Sequence, residues 1–264
     1  MRKCVVTGVA GFIGSNLAEH LLTLGDEVAG IDNFNAYYTP VLKRARVKHL
    51  AASARILDID INEHDSLTAL FDEVKPSVVV HLAAQAGVRY SFEAPLDYAN
   101  SNLLGQVSVL EAARKQESVS RLIYASSSSV YSGVNTVPFT EDMKLGTPKS
   151  LYAATKIADE VLSDTYSSLY GLDAIGLRFF TVYGPWGRPD MAYWSFADAI
   201  LAGRPLKLFN HGDVRRDFTY IDDIVAPIVT MAEEAAAARP ETPRHRVYNI
   251  GNHTPTPVPE MIAQ

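Results

Sequence analysis

Tyr152 and Lys156 stand four residues apart in the segment "SLYAATKIADEVL", which has the pattern of a helix start. Residues at this spacing share one face of a helix. A phenol with its ordinary pKa of about 10 is a poor base at neutral pH, but a neighbouring ammonium stabilises the phenolate. The pair is therefore a candidate general base for a hydroxyl group. Taken alone the spacing is a weak signal, because Tyr and Lys fall four apart on many helices.

The serine run "SSSSVYS" strengthens this signal, because it follows the apolar segment "RLIYA" and so ends a predicted strand in hydroxyl groups. Ser127 then lies at a strand end that can converge with the helix start at Tyr152. Its hydroxyl can donate to a substrate oxygen or relay a proton to the tyrosine. We predict Ser127, Tyr152 and Lys156 as catalytic residues and assign Ser126 a structural role.

A second site is indicated by the glycine-rich segment "VVTGVAGFIGSNL", in which Gly8, Gly11 and Gly14 are spaced G-x-x-G-x-x-G. Such glycines permit a tight turn, close approach of a pyrophosphate and close helix packing. A helix beginning at Phe12 and Ile13 would present free N–H groups to a phosphate. A glycine motif is weak evidence by itself, but here a strand precedes it and a helix follows.

Asp32 ends the second predicted strand, "VAGID", where a carboxylate can bind both hydroxyls of a ribose and repel a 2′-phosphate. The cofactor predicted is therefore NAD and not NADP. Asp60 and Ile61, and then Ala83 to Gln85, end further strand-like runs at the same sheet edge, although Asp60 could instead cap a helix. The predicted cofactor site comprises Gly8, Gly11, Phe12, Ile13, Gly14, Asp32, Asn33, Asn35, Asp60, Ile61, Ala83, Ala84, Gln85, Asn102, Tyr152 and Lys156.

The elements that must position these residues alternate between short β-branched runs and longer helical patterns. This alternation predicts an α/β fold with a Rossmann-type, doubly wound parallel sheet. We place an NAD-binding domain at residues 1–177. From residue 178 the chain becomes rich in Pro, Gly and aromatic residues, as in "TVYGPWGRPDMAYW". Residues 178–264 are predicted to form a smaller substrate lobe, with some segments returning to the first domain.

Composition excludes several classes of function. The chain has 264 residues and a net charge of −6, which disfavours nucleic acid as a partner. Its one cysteine, Cys4, lies in an apolar run and predicts a buried side chain, so neither a disulfide framework nor a cysteine metal site is expected, and no metal is predicted. No apolar run reaches the length of a membrane span. We predict a cytoplasmic protein that does not enter the membrane.

The chain resembles the extended short-chain dehydrogenase/reductase family. Within it, the chain is similar to NAD-dependent nucleotide-sugar epimerases, most closely to the UDP-glucuronate 4-epimerases. The resemblance covers almost the whole chain and is carried by the glycine, serine and Tyr-x-x-x-Lys motifs. It is also carried by "DNFNAYYTPVLKRAR", "HLAAQAGVRYS", "RFFTVYGPWGRPDMA" and "NHGDVRRDFTYIDDI". It implies a UDP-sugar substrate and a homodimer, which helices over Leu96–Lys115 and Tyr152–Tyr170 could form.

The resemblance also implies a reaction. The tyrosine would remove the proton of the sugar 4-hydroxyl, and the resulting 4-keto sugar would turn over and be reduced back. Related dehydratases would carry an Asp-Glu pair, and decarboxylases a Glu, where this chain has Ser128 and Ser129. Serine is neither acid nor base at neutral pH, so epimerisation of UDP-glucuronate is expected. The alternatives are epimerisation of another UDP-hexose, such as UDP-glucose, and an inactive NAD-binding chain.

The substrate residues are assigned on the same basis. Ser128, Ser129 and Thr181 would hold the sugar carboxylate, and Arg188 would lie near it or shape the pocket. Arg216 would grip the pyrophosphate, while Arg89 would reach the substrate or brace its loop. The full predicted substrate site is Arg89, Ser127, Ser128, Ser129, Tyr152, Thr181, Arg188, Leu208, Phe209 and Arg216, with Leu208 and Phe209 beside uracil.

Other residues receive structural interpretations. Lys43 and Arg46, on a basic helix after Asp32, are assigned to a solvated face, and Trp186 is assigned to packing within the substrate lobe. The C-terminal segment "TPVPEMIAQ" has the pattern of the first turn of a helix, whereas members of the family continue further. We therefore expect the substrate lobe to be truncated.

Overall fold

The computed structural model describes residues 1–206, 208, 214–234 and 244–263. The strands in these ranges are β1 Lys3–Thr7, β2 Glu27–Asp32, β3 Arg55–Asp58, β4 Val78–His81, β5 Arg121–Ser127, β6 Ala174–Phe179, β7 Thr181–Tyr183, β8 Arg215–Tyr220, β9 His245–Ile250 and β10 Pro255–Pro257. The α-helices are α1 Phe12–Thr23, α2 Pro40–Leu50, α3 His64–Val74, α4 Tyr90–Glu93, α5 Pro95–Tyr98, α6 Gly105–Arg114, α7 Leu151–Tyr170, α8 Ala192–Leu201, α9 Ile221–Glu233 and α10 Val258–Ala263. A π-helical turn covers Ala99–Leu104, and a 3-10 turn covers Ser128–Gly133.

Within the described residues, seven parallel strands form the main sheet in the order β3-β2-β1-β4-β5-β6-β9. The strand order reverses between β1 and β4, which opens a crevice at the carboxyl ends of the strands. The predicted doubly wound parallel sheet is confirmed. Sequence analysis identified the first six of these strands and did not identify β9, which returns from the C-terminal part of the chain to pair with β6.

The core lies on both faces of this sheet, as nearly continuous apolar strands require. Alternate residues of β1 point to opposite faces. Cys4 and Val6 join one apolar cluster with α1 and α9, whereas Val5 joins the other with α3 and α6. Cys4 is fully buried, which confirms the expectation from its apolar surroundings. The sheet is thereby held rigidly between helical layers, and its carboxyl edge is left free for a site.

A smaller sheet of β10, β8 and β7 lies beside the carboxyl edge, with β8 parallel to β7 and antiparallel to β10. The chain leaves the main sheet only after Phe179, so the predicted boundary at residue 178 falls inside β6. Further along the chain, α9 packs against α1 and β9 pairs with β6 of the main sheet. The predicted single helix over Leu96–Lys115 is divided into α5, the π-helical turn and α6.

Candidate active site

A cleft of about 2010 Å³ lies along the carboxyl edge of the main sheet and extends to the smaller sheet. It brings the predicted cofactor, catalytic and substrate residues together on one continuous wall. The predicted residues that line it are Gly8, Gly11, Phe12, Ile13, Gly14, Asp32, Asn33, Asn35, Asp60, Ile61, Ala83, Ala84, Gln85, Arg89, Ser127, Ser128, Ser129, Tyr152, Lys156, Thr181, Arg188 and Arg216. The wall does not include Asn102 or Leu208, and Phe209 lies outside the described residues.

The glycine turn between β1 and α1 fits against its surroundings only because it has no side chains. Gly8 has φ +71°, and a Cβ there would lie 2.7 Å from the backbone nitrogen of Ala83. A Cβ on Gly14 would lie 2.2 Å from the carbonyl oxygen of Gly8. Gly11 N–H donates to that same oxygen at 2.9 Å. The next N–H groups, at the start of α1, have no partner within the helix and can receive a phosphate.

The Asp32 carboxylate is held in place at the end of β2 by two backbone donors. The N–H of Ala10 donates to Oδ2 at 3.1 Å, and the N–H of Phe34 donates to Oδ1 at 2.8 Å. Burial raises the pKa of Asp32, while the ammonium of Lys43 and the two backbone donors oppose that shift. A fixed carboxylate with acceptor capacity left over fits the hydroxyls of a ribose.

Lys43 and Arg46 are buried, so the assignment of α2 to a solvated face is wrong for both residues. The ammonium of Lys43 donates to Asn35 Oδ1 at 2.7 Å and lies 4.0 Å from Asp32 Oδ1. It reaches the wall of the cleft, so α2 contributes a cation to the cofactor side. A run of basic residues on a helix is usually solvated, so the pattern of α2 is a weak signal of this role at most.

Arg46 is fully buried and joins α2 to the loop that follows β7. Its guanidinium donates to the carbonyls of Trp186 at 2.9 Å and Gly187 at 3.1 Å, which lie 140 and 141 residues away in the sequence. It also donates to Ala10 O at 3.2 Å and to the hydroxyl of Tyr38 at 2.6 Å. Backbone carbonyls satisfy this buried charge, and they carry no sequence pattern by which the contact could be predicted.

Asp60 follows β3, which already ends at Asp58, and does not cap the next helix. Its Oδ2 accepts from Asn33 Nδ2 at 2.8 Å, and its Oδ1 accepts from the N–H of Asn62 at 2.9 Å. Helix α3 begins at His64 with Glu63 in the cap position. The alternative role of Asp60 as a helix cap is therefore excluded, and Asp60 stays on the cleft wall.

Asn102 lies directly behind the wall and positions Gln85. Its Oδ1 accepts the N–H of Gln85 at 2.8 Å, and its Nδ2 donates to Gln85 O at 3.1 Å. The same Nδ2 donates to Thr155 Oγ1 on α7 at 3.0 Å. Asn102 thus connects the loop after β4 to the helix that carries Tyr152.

Helix α7 carries Tyr152 and Lys156 in its first two turns, because Ser150 caps it through the N–H of Ala153 at 3.0 Å. The Lys156 ammonium is buried and donates to Ala125 O at 2.9 Å and to Asp159 Oδ2 at 3.0 Å. Burial alone would lower the pKa of Lys156, but the charges of Asp159 and Tyr152 outweigh it and raise the pKa. Lys156 is therefore a fixed cation at neutral pH.

The serine run divides into hydroxyls with different partners. Ser127 Oγ accepts the N–H of Ser129 at 3.1 Å, which leaves the Ser127 hydroxyl proton free to be donated into the cleft. Ser129 Oγ is buried and has no hydrogen-bond partner among the described residues. Ser126 Oγ donates to Glu160 Oε1 at 2.5 Å, in agreement with a structural role. A buried hydroxyl without a partner on a cleft wall fits a polar group of a ligand.

Cationic side chains line the substrate end of the cleft. Arg188 is paired with Asp190 at 3.0 Å (Nε to Oδ1), and Asp190 also accepts from the hydroxyl of Tyr37 at 3.1 Å. Burial opposes the charge of Arg188, but Asp190 outweighs burial and the pKa of Arg188 is raised. Burial and the positive charge of Arg216 lower the pKa of Arg89, and both arginines line the cleft. This end of the cleft is suited to anionic groups.

Tyr37 and Asp190 were not predicted as site residues, although both line the cleft. The part of the chain that the structure describes contains no cluster of His, Cys, Asp and Glu that could hold a metal ion. In the same ranges no helix has both the length and the apolar character that a membrane crossing requires.

Comparison with known proteins agrees with this geometry. A model of the "NAD dependent epimerase/dehydratase family" matches residues 4–251. "UDP-glucuronate 4-epimerase 4" of Arabidopsis thaliana is 49% identical over 269 residues, which cover 98% of this chain and 61% of that protein. The chain therefore spans about three fifths of the length of this relative.

Solved structures of similar proteins share the fold. UDP-glucuronic acid 4-epimerase from Bacillus cereus, in complex with UDP-glucuronic acid and NAD, has a TM-score of 0.86 at 35% identity, covering 97% of this chain and 79% of that one. UDP-glucose 4-epimerase from Thermotoga maritima, with UDP-glucose, has a TM-score of 0.83 at 29% identity, covering 98% and 80%. The resemblance inferred from the motifs is confirmed over almost the whole chain. The chain belongs to the NAD dependent epimerase/dehydratase family.

Proposed function

We propose that the protein interconverts UDP-glucuronate and UDP-galacturonate by oxidation and re-reduction at sugar C4. The observation that carries this proposal is the serine pair in the same cleft as Tyr152 and Lys156. Ser128 and Ser129 line the cleft where an elimination or decarboxylation enzyme of this type would need an acid, and the Ser129 hydroxyl has no partner among the described residues. These side chains can bind a carboxylate without offering it acid–base chemistry.

The cradle formed by the glycine turn, Asp32 and the loop after β4 fits a dinucleotide. The start of α1 would hold the pyrophosphate of NAD, and Asp32 would hold the adenosine ribose. Bound NAD would supply the hydride acceptor and donor for sugar C4. Lys156, whose ammonium donates to Ala125 O and Asp159, has a third N–H without a partner among the described residues and would donate it to a hydroxyl of the cofactor.

Proton transfer is assigned to the residues of the chain itself. Tyr152 would take the proton of the 4-hydroxyl, because it lies on the cleft wall in the first turn of α7, one turn before the buried Lys156. Ser127 would donate its free hydroxyl proton to the same sugar oxygen or relay a proton to Tyr152, since the N–H of Ser129 uses only one of the two acceptor lone pairs of its oxygen. When the keto sugar is reduced on its other face, Tyr152 would return the proton.

The substrate end of the cleft supports a UDP-sugar acid. Arg89 and Arg216 would bind the pyrophosphate oxygens, for which a guanidinium fork is well suited. Ser128, Ser129, Thr181 and Arg188 would hold the carboxylate and thereby resist loss of CO₂ from the keto acid. A charge-assisted hydrogen bond of this kind contributes roughly 1.5–3 kcal/mol.

We further propose that the protein acts in the cytoplasm as a homodimer. An apolar groove between the segment around the π-helical turn and α7 supports the pairing. The groove is lined by Leu103, Leu104, Val107, Ala154, Ile157, Ala158, Val161 and Leu162. Val161 is 62% exposed and Leu104 is 53% exposed, so a second copy could bury considerable apolar surface here.

The reaction is tested by incubating the protein with UDP-glucuronate and, separately, with UDP-glucose, and by separating the products chromatographically. UDP-galacturonate should form from UDP-glucuronate, and no UDP-pentose should accompany it. Tyr152→Phe should reduce turnover by at least about a hundredfold, in line with the loss of a general base. If UDP-glucose is converted and UDP-glucuronate is not, the substrate is a UDP-linked neutral hexose and not UDP-glucuronate. Binding of NAD without turnover of either sugar would refute the proposed activity.

A further inference from the structure

We propose that Lys43 is a selectivity residue for the adenosine ribose of the cofactor. Its buried ammonium balances the negative charge of Asp32. Lys43 would also bind a 2′-phosphate on that ribose, but the Asp32 carboxylate repels such a phosphate. This inference rests on the proposed binding of NAD, and it does not depend on the identity of the sugar.

The position of Lys43 is fixed from three sides. Its side chain is 7% exposed, and that of Asp32 is 9% exposed. Asn35 Oδ1 accepts one of the three ammonium N–H groups at 2.7 Å, and the ring of Tyr38 lies beneath the ammonium, 5.0 Å from its centroid. Because the stem is packed and the head is held, the charge cannot be withdrawn from the cleft wall without breaking these contacts.

The ammonium has hydrogen-bonding capacity left for a ligand. Asp32 Oδ1 lies 4.0 Å away, which is within the range of an ion pair but beyond that of a hydrogen bond. Two of the three N–H groups therefore have no hydrogen-bond partner among the described residues. Both Lys43 and Asp32 line the cleft, so these N–H groups can meet the same ribose that the carboxylate binds.

The charges of Lys43 and Asp32 then decide whether the ribose of NAD or the 2′-phosphorylated ribose of NADP is bound. With Asp32 ionised, Lys43 and Asp32 sum to zero, and a 2′-phosphate would bring its negative charge against the carboxylate. Without the carboxylate, Lys43 would be a buried cation facing a dianion, which is a favourable contact at short range. The neighbouring cation Arg44 cannot take this role, because it lies 3.6 Å from Asp58 and its side chain is 63% exposed.

The test measures binding of NAD and NADP to the full chain by isothermal titration calorimetry, with no sugar present. Four variants are compared: Asp32→Ser, Lys43→Met, the double variant, and Lys48→Met as a matched control. Lys48 is exposed on the same helix, so its removal changes the net charge equally without touching the cleft.

We expect wild-type protein and Lys48→Met to prefer NAD equally. Asp32→Ser should bind NADP at least about tenfold more tightly than wild type does, and the double variant should lose that gain. Lys43→Met should bind NAD about tenfold more weakly than wild type. Thermal melting checks that each variant is folded, and Lys43→Gln, which keeps a donor for Asn35, replaces Lys43→Met if the latter does not fold.

Two results would overturn the inference: no gain of NADP binding in Asp32→Ser, or an equal gain in Asp32→Ser and the double variant. If the proposal that the protein binds NAD is wrong, the result is different, because wild-type protein would then bind neither dinucleotide.

Discussion

At the scale of single residues, Asp159 decides how the charge of Lys156 is balanced. Asp159 is fully buried, its Oδ2 accepts from the ammonium at 3.0 Å, and its Oδ1 has no hydrogen-bond partner among the described residues. Burial raises the pKa of Asp159 to about 6, although Lys156 opposes the shift. The carboxyl group thus holds its proton to a higher pH in the folded protein than in the unfolded chain.

Asp159→Asn should therefore change how stability depends on pH. A group whose pKa is raised on folding stabilises most at low pH, and this contribution is lost as the pH rises through its folded pKa of about 6. Relative to the Asn variant, wild-type protein should lose on the order of 1–3 kcal/mol of unfolding free energy between about pH 4 and 7. Urea unfolding at several pH values measures the difference.

Asp65→Asn serves as the control, because Asp65 is exposed in the first turn of α3. Removal of this exposed carboxylate should change the unfolding free energy by less than about 1 kcal/mol at any of these pH values. If the Asp159→Asn difference does not change with pH, the Asp159 carboxyl group titrates alike in the folded and unfolded states, and the argument from burial is wrong.

Some residues of the site could be predicted because their types and spacing are local. Tyr152 and Lys156 lie on one helix, and Ser127 follows an apolar strand, so each position can be read from a short segment. Lys43 could not be predicted in the same way, because its burial depends on Asn35 and Asp32 closing around it. A basic side chain on a helix gives the same sequence pattern whether it is solvated or paired.

At the scale of elements, α2 is held to the rest of the molecule by Arg46. The Arg46 guanidinium donates to two carbonyls of the loop after β7 and to one carbonyl of the turn after β1. It therefore joins both of these segments to α2. Trp186 strengthens the junction by stacking on His49 of α2, with ring centroids 5.4 Å apart. Trp186 therefore packs, as its assignment from sequence predicted, but its partner lies on α2 and not within the predicted substrate lobe.

Arg46→Met should destabilise the protein by about 3 kcal/mol or more, because buried carbonyls would lose their donors and nothing replaces them. The midpoint of urea unfolding measures the loss. Arg44→Met is the matched control: Arg44 lies two residues away, its side chain is 63% exposed, and its ion pair with Asp58 is on the surface. Its loss should cost less than about 1 kcal/mol. Equal effects of the two substitutions would mean that the junction does not hold the helix.

Strands were predictable where the sequence has an apolar run, including β3 at one edge of the main sheet, and not where polar residues or prolines dominate. The strands β1, β4 and β5 read as continuous apolar runs, which identified them. In contrast β9, "HRVYNI", is an edge strand in which only Ile250 is buried, so its polar residues conceal it. The strand β10 is "PTP", and prolines carry no strand signal.

At the scale of the whole molecule, the apolar groove along α7 is the surface through which the proposed dimer forms. Val161→Asp should convert the dimer to a monomer, because it would bury an unpaired charge in the interface. Sedimentation velocity over a range of protein concentrations measures the change. Leu169→Asp is the control, because Leu169 is 68% exposed on the same helix but does not line the groove. A monomeric wild-type protein, or equal sedimentation of Val161→Asp and wild type, would contradict the proposal.

Because β9 follows the other six strands of the main sheet in the sequence, this sheet is completed only when β9 has been synthesised. The predicted cofactor contacts all lie at or before Lys156, whereas β9 begins at His245 and completes the sheet beside β6. On the ribosome, the dinucleotide cradle is therefore complete long before the strand that covers β6 has been made. During that interval β6 is an open edge, because the backbone N–H and C=O groups that later pair with β9 have no partner strand. The nascent chain is most exposed to wrong strand pairing in that interval, at the edge that β9 later covers.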